Sequence, residues 1–203
     1  MKIAITGHCN GIGKAIFDKL SEKGHELIGF DIEDESGDIL NGREEIIEKS
    51  KDCDVFINNA FHMTGAQTDM FNDIYELWKN ERKQIINICS ASKHYPSIFN
   101  SGLHFNYIAK KKVLWKNIVS KYKDNLNWTK EIKLRVHTVS PGLVDTVMTE
   151  DIKDPSLKTS VDTIASYVCW VLDQPKDIEI MDLSVRTKPV EDNGMRYSDF
   201  RKN

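Results

Sequence analysis

Short runs of consecutive apolar residues alternate along the chain with stretches in which apolar positions recur every three or four residues, the first pattern predicting strands and the second helices. Strands are predicted over residues 2–6, 26–31, 54–58, 84–89 and 133–139, with a short one at 38–40 and a last one at 179–185. Helices are predicted over 11–23, 42–51, 69–82, 104–123 and 161–173. Such an order implies an α/β fold: a Rossmann-like, doubly wound parallel sheet of about seven strands, joined by right-handed crossovers, with helices on both faces. No linker rich in Pro, Gly and Ser and no internal repeat divides the chain, so residues 1–185 read as a single domain. The remainder, 186–203, is a polar tail with Met195, Tyr197 and Phe200 spaced through it, either a loose end or an arm that packs on a neighbour.

The first strand runs straight into three glycines, Gly7, Gly11 and Gly13, before the first helix begins. Gly7 lets the chain turn sharply, Gly11 removes a side chain where backbone must approach a ligand, and Gly13 lets the helix sit close on the sheet. The helix then presents unpaired N–H groups and a partial positive charge to a diphosphate. The second strand ends in Asp31, eighteen residues after Gly13, where a carboxylate can accept both hydroxyls of an adenosine ribose and repel an additional 2'-phosphate. Neither Asp31 nor Asn10, just before the second glycine, has an Arg or Lys beside it to receive that phosphate, and NAD is therefore expected over NADP.

Further motifs follow in order. They are Asn58-Asn59-Ala60-Phe61 at the end of the third long strand, Ser90 after the apolar run 85–89, Tyr107 and Lys111 in a Tyr-x-x-x-Lys spacing, and Pro141-Gly142-Leu143-Val144-Asp145-Thr146. Together with Thr6-Gly7-x-x-x-Gly11-Ile12-Gly13 these resemble the ordered pattern of the short-chain dehydrogenase/reductase family, over nearly the whole chain. Phe61 departs from it, replacing a glycine. The resemblance implies an NAD(P)-dependent oxidoreductase that moves hydride between the nicotinamide and a small alcohol or carbonyl substrate. Catalysis falls to Ser90, Tyr107, Lys111 and a relay asparagine, Asn72. Cofactor binding falls to Gly7, Asn10, Gly11, Ile12, Gly13, Asp31, Asn59, Ala60, Tyr107, Lys111, Pro141, Gly142, Val144 and Thr146. Asp38 either meets the adenine edge or is a turn residue.

Residues four apart on a helix are neighbours, so Tyr107 and Lys111 are expected on one face. An ammonium beside a phenol favours the phenolate, and the pKa of Tyr107 is expected to fall from its usual value near 10 toward the neutral range, where it serves as general acid or base. Ser92 is the alternative to Ser90, and Asn80 the alternative to Asn72. The segment 93–105 reads as a loop whose Tyr95, Phe99 and Phe105 either line a substrate pocket or pin the loop to the core; His94 and His104 read as ordinary polar loop residues. The stretch 147–160 leaves room only for a short substrate lid.

With 203 residues and 40% hydrophobic content the chain can bury one substantial core, and a net charge of -3 offers no broad basic field for nucleic acid. The cysteines, Cys9, Cys53, Cys89 and Cys169, have neither metal-ligand spacing nor the pattern of a secreted disulfide framework, and no metal is expected. The chain opens directly on a core strand, with no signal peptide and no apolar run of the roughly 18 residues that span a bilayer. A cytoplasmic protein is expected, with no membrane partner and, by the resemblance, a homodimer or tetramer. The other reading of the same motifs is a regulator or sensor that binds NAD without turnover. A sugar-nucleotide epimerase uses the same Tyr and Lys but needs a substrate domain that this chain is too short to hold.

Overall fold

The computed structural model describes residues 1–33, 37–94, 102–125 and 133–187. The tail beyond residue 187 and the aromatic residues Tyr95 and Phe99 lie outside them. Six strands, β1 (Lys2–Thr6), β2 (Glu26–Phe30), β3 (Val55–Asn58), β4 (Gln84–Ile88), β5 (Arg135–Pro141) and β6 (Leu183–Val185), form one sheet in the order β2-β1-β3-β4-β5-β6. Every pairing is parallel. Among the described residues five α-helices accompany them: α1 (Gly11–Glu22), α2 (Arg43–Ser50), α3 (Ala66–Trp78), α4 (Gly102–Asn125) and α5 (Val161–Leu172).

The apolar strand runs are buried on both sides, and their period of two sorts them between two cores. Ile3 and Ile5 of β1 and Val55 and Ile57 of β3 pack with Ile16 and Leu20 of α1 and with Ile164, Val168 and Val171 of α5. Ala4 and Phe56, the residues between them, face the other way, toward Met70, Phe71, Ile74 and Trp78 of α3 and Leu114 and Ile118 of α4. Ile16 and Leu20, four apart, form the inward stripe of α1. Ser160 caps α5, its hydroxyl accepting from the Thr163 N–H at 3.1 Å.

Three predicted elements are corrected. No strand forms at 38–40. Asp38 folds its carboxylate back instead, accepting from the Leu40 N–H at 2.9 Å and the Asn41 amide at 2.6 Å, while its carbonyl accepts from the Gly42 N–H. This is an Asx-type turn, and the sheet has six strands rather than seven. Helix α3 begins at Ala66, directly after Gly65 at φ 102°, so Asn72 lies in its middle rather than at its start. Only 183–185 of the predicted last strand pair as a strand. Ahead of it, Glu179 accepts from the Val136 N–H through its carboxylate and Ile180 N–H donates to His137 Nδ1, so side chains take ladder positions there.

Parallel sheets bind ligands at the carboxyl ends of the strands where the strand order reverses, here between β1 and β3. Among the described residues the largest fully buried side chain is Trp78 at the end of α3, packed edge to face on Phe56 with centroids 6.3 Å apart. Replacing it should expose the cost of the α3 core directly: Trp78→Ala is expected to lower unfolding free energy by about 3–5 kcal/mol in urea titrations followed by far-ultraviolet circular dichroism, with the cooperative transition kept.

Candidate functional site

The crevice is built from the first turn outward. Gly7 and Gly11 both take positive φ, 74° and 55°, and a Cβ on Gly13 would lie 1.8 Å from the Gly7 carbonyl oxygen, so the first helix can approach β1 only with glycine there. Thr6, fully buried, accepts the Asn59 and Ala60 N–H groups on its hydroxyl at 3.1 and 3.0 Å. Asn59 returns its amide to the carbonyls of Thr6 and Gly7 at 3.0 and 3.1 Å. This reciprocal clamp holds the ends of β1 and β3 together across the point of reversal. Asn10, the residue before α1, makes no side-chain cap and donates instead to Glu33 at 2.9 Å, and the first turn of α1 carries no acid. The amino end of the helix thus keeps donors for an anion, which fits a diphosphate. Ile12 packs down on the α1–α5 core.

Asp31 is buried at the end of β2, one oxygen accepting from the Cys9 N–H at 2.9 Å, so its carboxylate is fixed in direction before any ligand arrives. On the opposite wall, Pro141 ends β5, the Gly142 N–H donates to Val185 at 2.6 Å, and Val144 is buried beside Thr159. A Cβ on Gly11 would stand 3.4 Å from the Thr146 methyl, which places the 141–146 segment against the glycine turn. Predicted cofactor residues from four separate segments therefore come together around the glycine turn. Asp38 follows Gly37, which packs directly on the Asp31 backbone, and both its carboxylate oxygens are engaged in its own turn.

The second group sits where the third segment continues past Ala60. Phe61 packs edge to face on Tyr107 at 4.9 Å, and the Lys111 ammonium lies over both rings, 5.1 Å from the Phe61 centroid and 5.6 Å from that of Tyr107. Lys111 is almost wholly buried and donates to Gln67 Oε1 at 2.8 Å and the Ile88 carbonyl at 2.9 Å. Ser90 stands two residues past the end of β4, its hydroxyl within hydrogen-bonding reach of the Tyr107 phenol and 2.7 Å from that of Ser92. Ser90 is thus the one that meets Tyr107, with Ser92 supporting it. His104 belongs to α4, not to a loop, and its ring lies 6.4 Å from that of Tyr107.

Two expectations for this cluster fail. Burial, the dominant effect, drives the Tyr107 phenol up to about 12, against which the Ser90 hydrogen bond is minor. Lys111 does not pull it down, because its donors point to Gln67 and Ile88 and its charge lies over the ring. Burial lowers Lys111 itself to about 8. The candidate relay asparagine, Asn72, points elsewhere: its amide donates to Asn117 on α4 at 3.3 Å, and the alternative, Asn80, is exposed in the turn after α3. Gln67, which spacing alone did not single out, takes the position beside the ammonium. Its own Nε2 donates to Asn58 and Ile88 carbonyls at 2.9 and 3.0 Å. A glutamine in the first turn of a helix resembles any polar surface residue in sequence, and nothing in its neighbours marks it.

A second buried lysine lies nearby. Lys93, with no side-chain exposure, donates to Ser140 and, at 2.8 Å, to Asp182, which also accepts from His94 and Ser184 and from Ser140. Burial pushes the Asp182 carboxyl up, but the donors Lys93, Ser140 and His94 together hold it below its ordinary range.

No family model and no curated protein sequence matches the chain. Solved structures do. An alcohol dehydrogenase from the archaeon Thermococcus sibiricus complexed with 5-hydroxy-NADP is 19% identical, with 92% of this chain and 97% of that one covered and a TM-score of 0.67. A short-chain dehydrogenase from Burkholderia cenocepacia in complex with NADP is 16% identical over 91% of this chain and 87% of that one, at 0.70. The 3-alpha-hydroxysteroid dehydrogenase from Pseudomonas sp. B-0831 complexed with NADH is 15% identical over 91% and 95%, at 0.62. The fold is that of short-chain dehydrogenases. Among the described residues no helix is long and apolar enough to cross a membrane.

The depressed lysine makes a prediction about stability. Its folded pKa near 8 lies below the usual 10.5, so between these values the unfolded chain binds the additional proton and stability rises with pH. Between pH 7 and 9.5 the wild type is expected to gain about 2 kcal/mol relative to Lys111→Met, read from paired urea titrations in which the thiols cancel. Parallel curves for the two proteins would mean that the amine is not held in a low-dielectric site.

Proposed function

We propose that this chain is a short-chain dehydrogenase/reductase that transfers hydride between a nicotinamide cofactor, NAD in preference to NADP, and a small alcohol or carbonyl compound. The observation that carries the reading is the continuity of one stretch of chain: Asn59 and Ala60 clamp the glycine turn, and the next residue, Phe61, touches Tyr107 and Lys111. Diphosphate cradle and proton donor are thus two ends of one crevice. The bound nicotinamide would supply or accept the hydride. Gly7, Gly11 and Gly13 leave room for the diphosphate at the amino end of α1, and Asp31 offers its carboxylate to the adenosine ribose and repels a 2'-phosphate. The similar structures hold NADP or NADH, and the preference for NAD rests on Asp31 and on the absence of an Arg or Lys beside it or at Asn10.

At the reacting end, Ser90 donates to the substrate oxygen and Tyr107 moves the proton. A phenol held protonated through the neutral range is suited to donating, which favours carbonyl reduction. Lys111 keeps a positive charge under the site at neutral pH and, on moving off Gln67, can reach a ribose hydroxyl. Fluorescence titration is expected to give tighter binding of NADH than of NADPH, with the order reversed or levelled in Asp31→Ala. In a panel of aldehydes and ketones, Tyr107→Phe should keep NADH binding and lose kcat by roughly 10²–10⁴-fold. Full turnover in that variant would remove Tyr107 from the chemistry.

One observation favours the second reading, a cofactor-binding protein without turnover: the Phe61 ring roofs the Lys111 ammonium, where the family pattern has glycine. If that ring must swing aside for the ribose, Phe61→Ala binds NADH roughly 10-fold more tightly, the penalty of a closed resting state being removed. Wild-type NADH binding with no substrate-dependent absorbance change, even in Phe61→Ala, would decide for the sensor.

A further inference from the structure

His8 and Cys9, in the middle of the glycine turn, stand against Asp31 at the end of β2, and the three residues can bring one ligand atom each to within 4.8 Å of the others. Cys9 Sγ lies 3.8 Å from His8 Nε2 and 4.0 Å from Nδ1. In a tetrahedral zinc site with Zn–S near 2.3 Å and Zn–N near 2.0–2.1 Å, neighbouring ligand atoms stand roughly 3.5 Å apart, so these donors need to close by only about 1 Å. Two of the three are already held in place by the fold. The His8 ring is seated against Gly29, where a Cβ would come within 2.4 Å of it, and is flanked by Phe17 at 5.0 Å. Asp31 is fixed through one oxygen by the Cys9 N–H, leaving the other to turn toward an ion and receive only a long contact, 3.5 Å, from the Glu33 N–H.

We propose that His8, Cys9 and Asp31 form a binding site for a soft divalent cation of the zinc type, and that the cation and a dinucleotide exclude one another. The donor set is imidazole nitrogen, thiolate sulfur and carboxylate oxygen, which suits zinc and disfavours magnesium or calcium. Thiolate and carboxylate together balance the two positive charges, the thiol proton being released to solvent as the metal–sulfur bond forms. Three protein ligands leave the fourth position to water. Among the described residues no other trio of His, Cys, Asp and Glu has this closeness. The antagonism rests on the reading of Asp31 as the ribose acceptor, since one carboxylate cannot serve both ligands; the metal site itself does not rest on it.

The test uses the full chain, stripped with chelator and titrated with cobalt(II), whose thiolate charge-transfer and tetrahedral d–d absorptions report the ligands directly. One equivalent is expected to produce both, zinc to displace the colour, Cys9→Ser to abolish the charge-transfer band, and His8→Ala or Asp31→Asn to weaken binding at least roughly 10-fold. NADH titrations are then repeated with the metal site filled: a fall in apparent affinity that is absent in Cys9→Ser supports the antagonism. A cobalt–thiolate band in a protein that binds no NADH even when metal-free leaves the metal site standing and refutes the cofactor reading. Absence of the band in protein with native circular dichroism, or its persistence in Cys9→Ser, overturns the metal site. NADH affinity indifferent to bound metal overturns the exclusion.

Discussion

A single buried ammonium holds the reactive end of this molecule together. Lys111 leaves water on α4, donates to the carbonyl of Ile88 at the end of β4, and donates to Gln67 at the start of α3, which in turn donates to the carbonyl of Asn58 at the end of β3. Four elements converge on one charge. Removing an ammonium from water carries a cost of several kcal/mol, and here neutral oxygens and the faces of two aromatic rings answer it rather than a carboxylate. That choice of partners sets the chemistry. Without a counter-charge the amine is pushed down by desolvation, and its field does not reach the phenol in the way that a phenol–ammonium pair would suggest. Gln67 is equally committed: with its oxygen on Lys111 and its nitrogen on two carbonyls, no other rotamer satisfies the amide as well.

The same stretch of chain that closes this end also closes the other. Four hydrogen bonds link Thr6 and Gly7 with Asn59 and Ala60 around the point where strand order reverses, and this fixes Ala60 and delivers Phe61 over Lys111. The glycine turn and the roof of the lysine are thus joined by two residues of one chain segment. Phe61 matters for this reason. Glycine at its place would leave the two ends independent; a ring there makes access to the ammonium depend on where residues 59–61 sit.

Much of this is legible in the sequence, and the parts that are not share a cause. Strands β1, β3 and β4 and helices α1 and α5 followed from apolar period alone, because buried parallel strands and amphipathic helices leave strong one-dimensional traces. The crevice followed from glycines whose need is steric and local. What failed depended on where a side chain's hydrogen bonds go. Asp38 sits in a short apolar context that reads as a strand, yet its carboxylate captures the next two donors and makes a turn. Asn72 has the right place in the order of motifs, but helix α3 begins three residues earlier than its polar residues suggest, which turns Asn72 toward Asn117. The direction of the Tyr107 shift failed because sequence gives the neighbour and not the depth: proximity of a lysine argues down, and burial, which spacing does not reveal, argues up and is the larger effect.

The contrast between the two buried lysines separates scaffold from site. Lys93 is paired with Asp182, whose remaining oxygen is held by His94 and Ser184, and lies 4.2 Å over the Trp115 ring; its charge is balanced within the fold and ties the first residues after β4 to the weakly laddered approach to β6. An arrangement of that kind is sufficient for structure. Lys111 has no such partner, and Lys93 adds a like charge nearby that lowers it further. A fold that needed only packing there would be better served by an apolar residue of similar volume, since uncompensated buried charge is replaced by hydrophobic groups at no loss. The ammonium at one end and the amino terminus of α1 at the other place positive charge at two points of the crevice, with the Asp31 carboxylate beyond the glycine turn as its negative group.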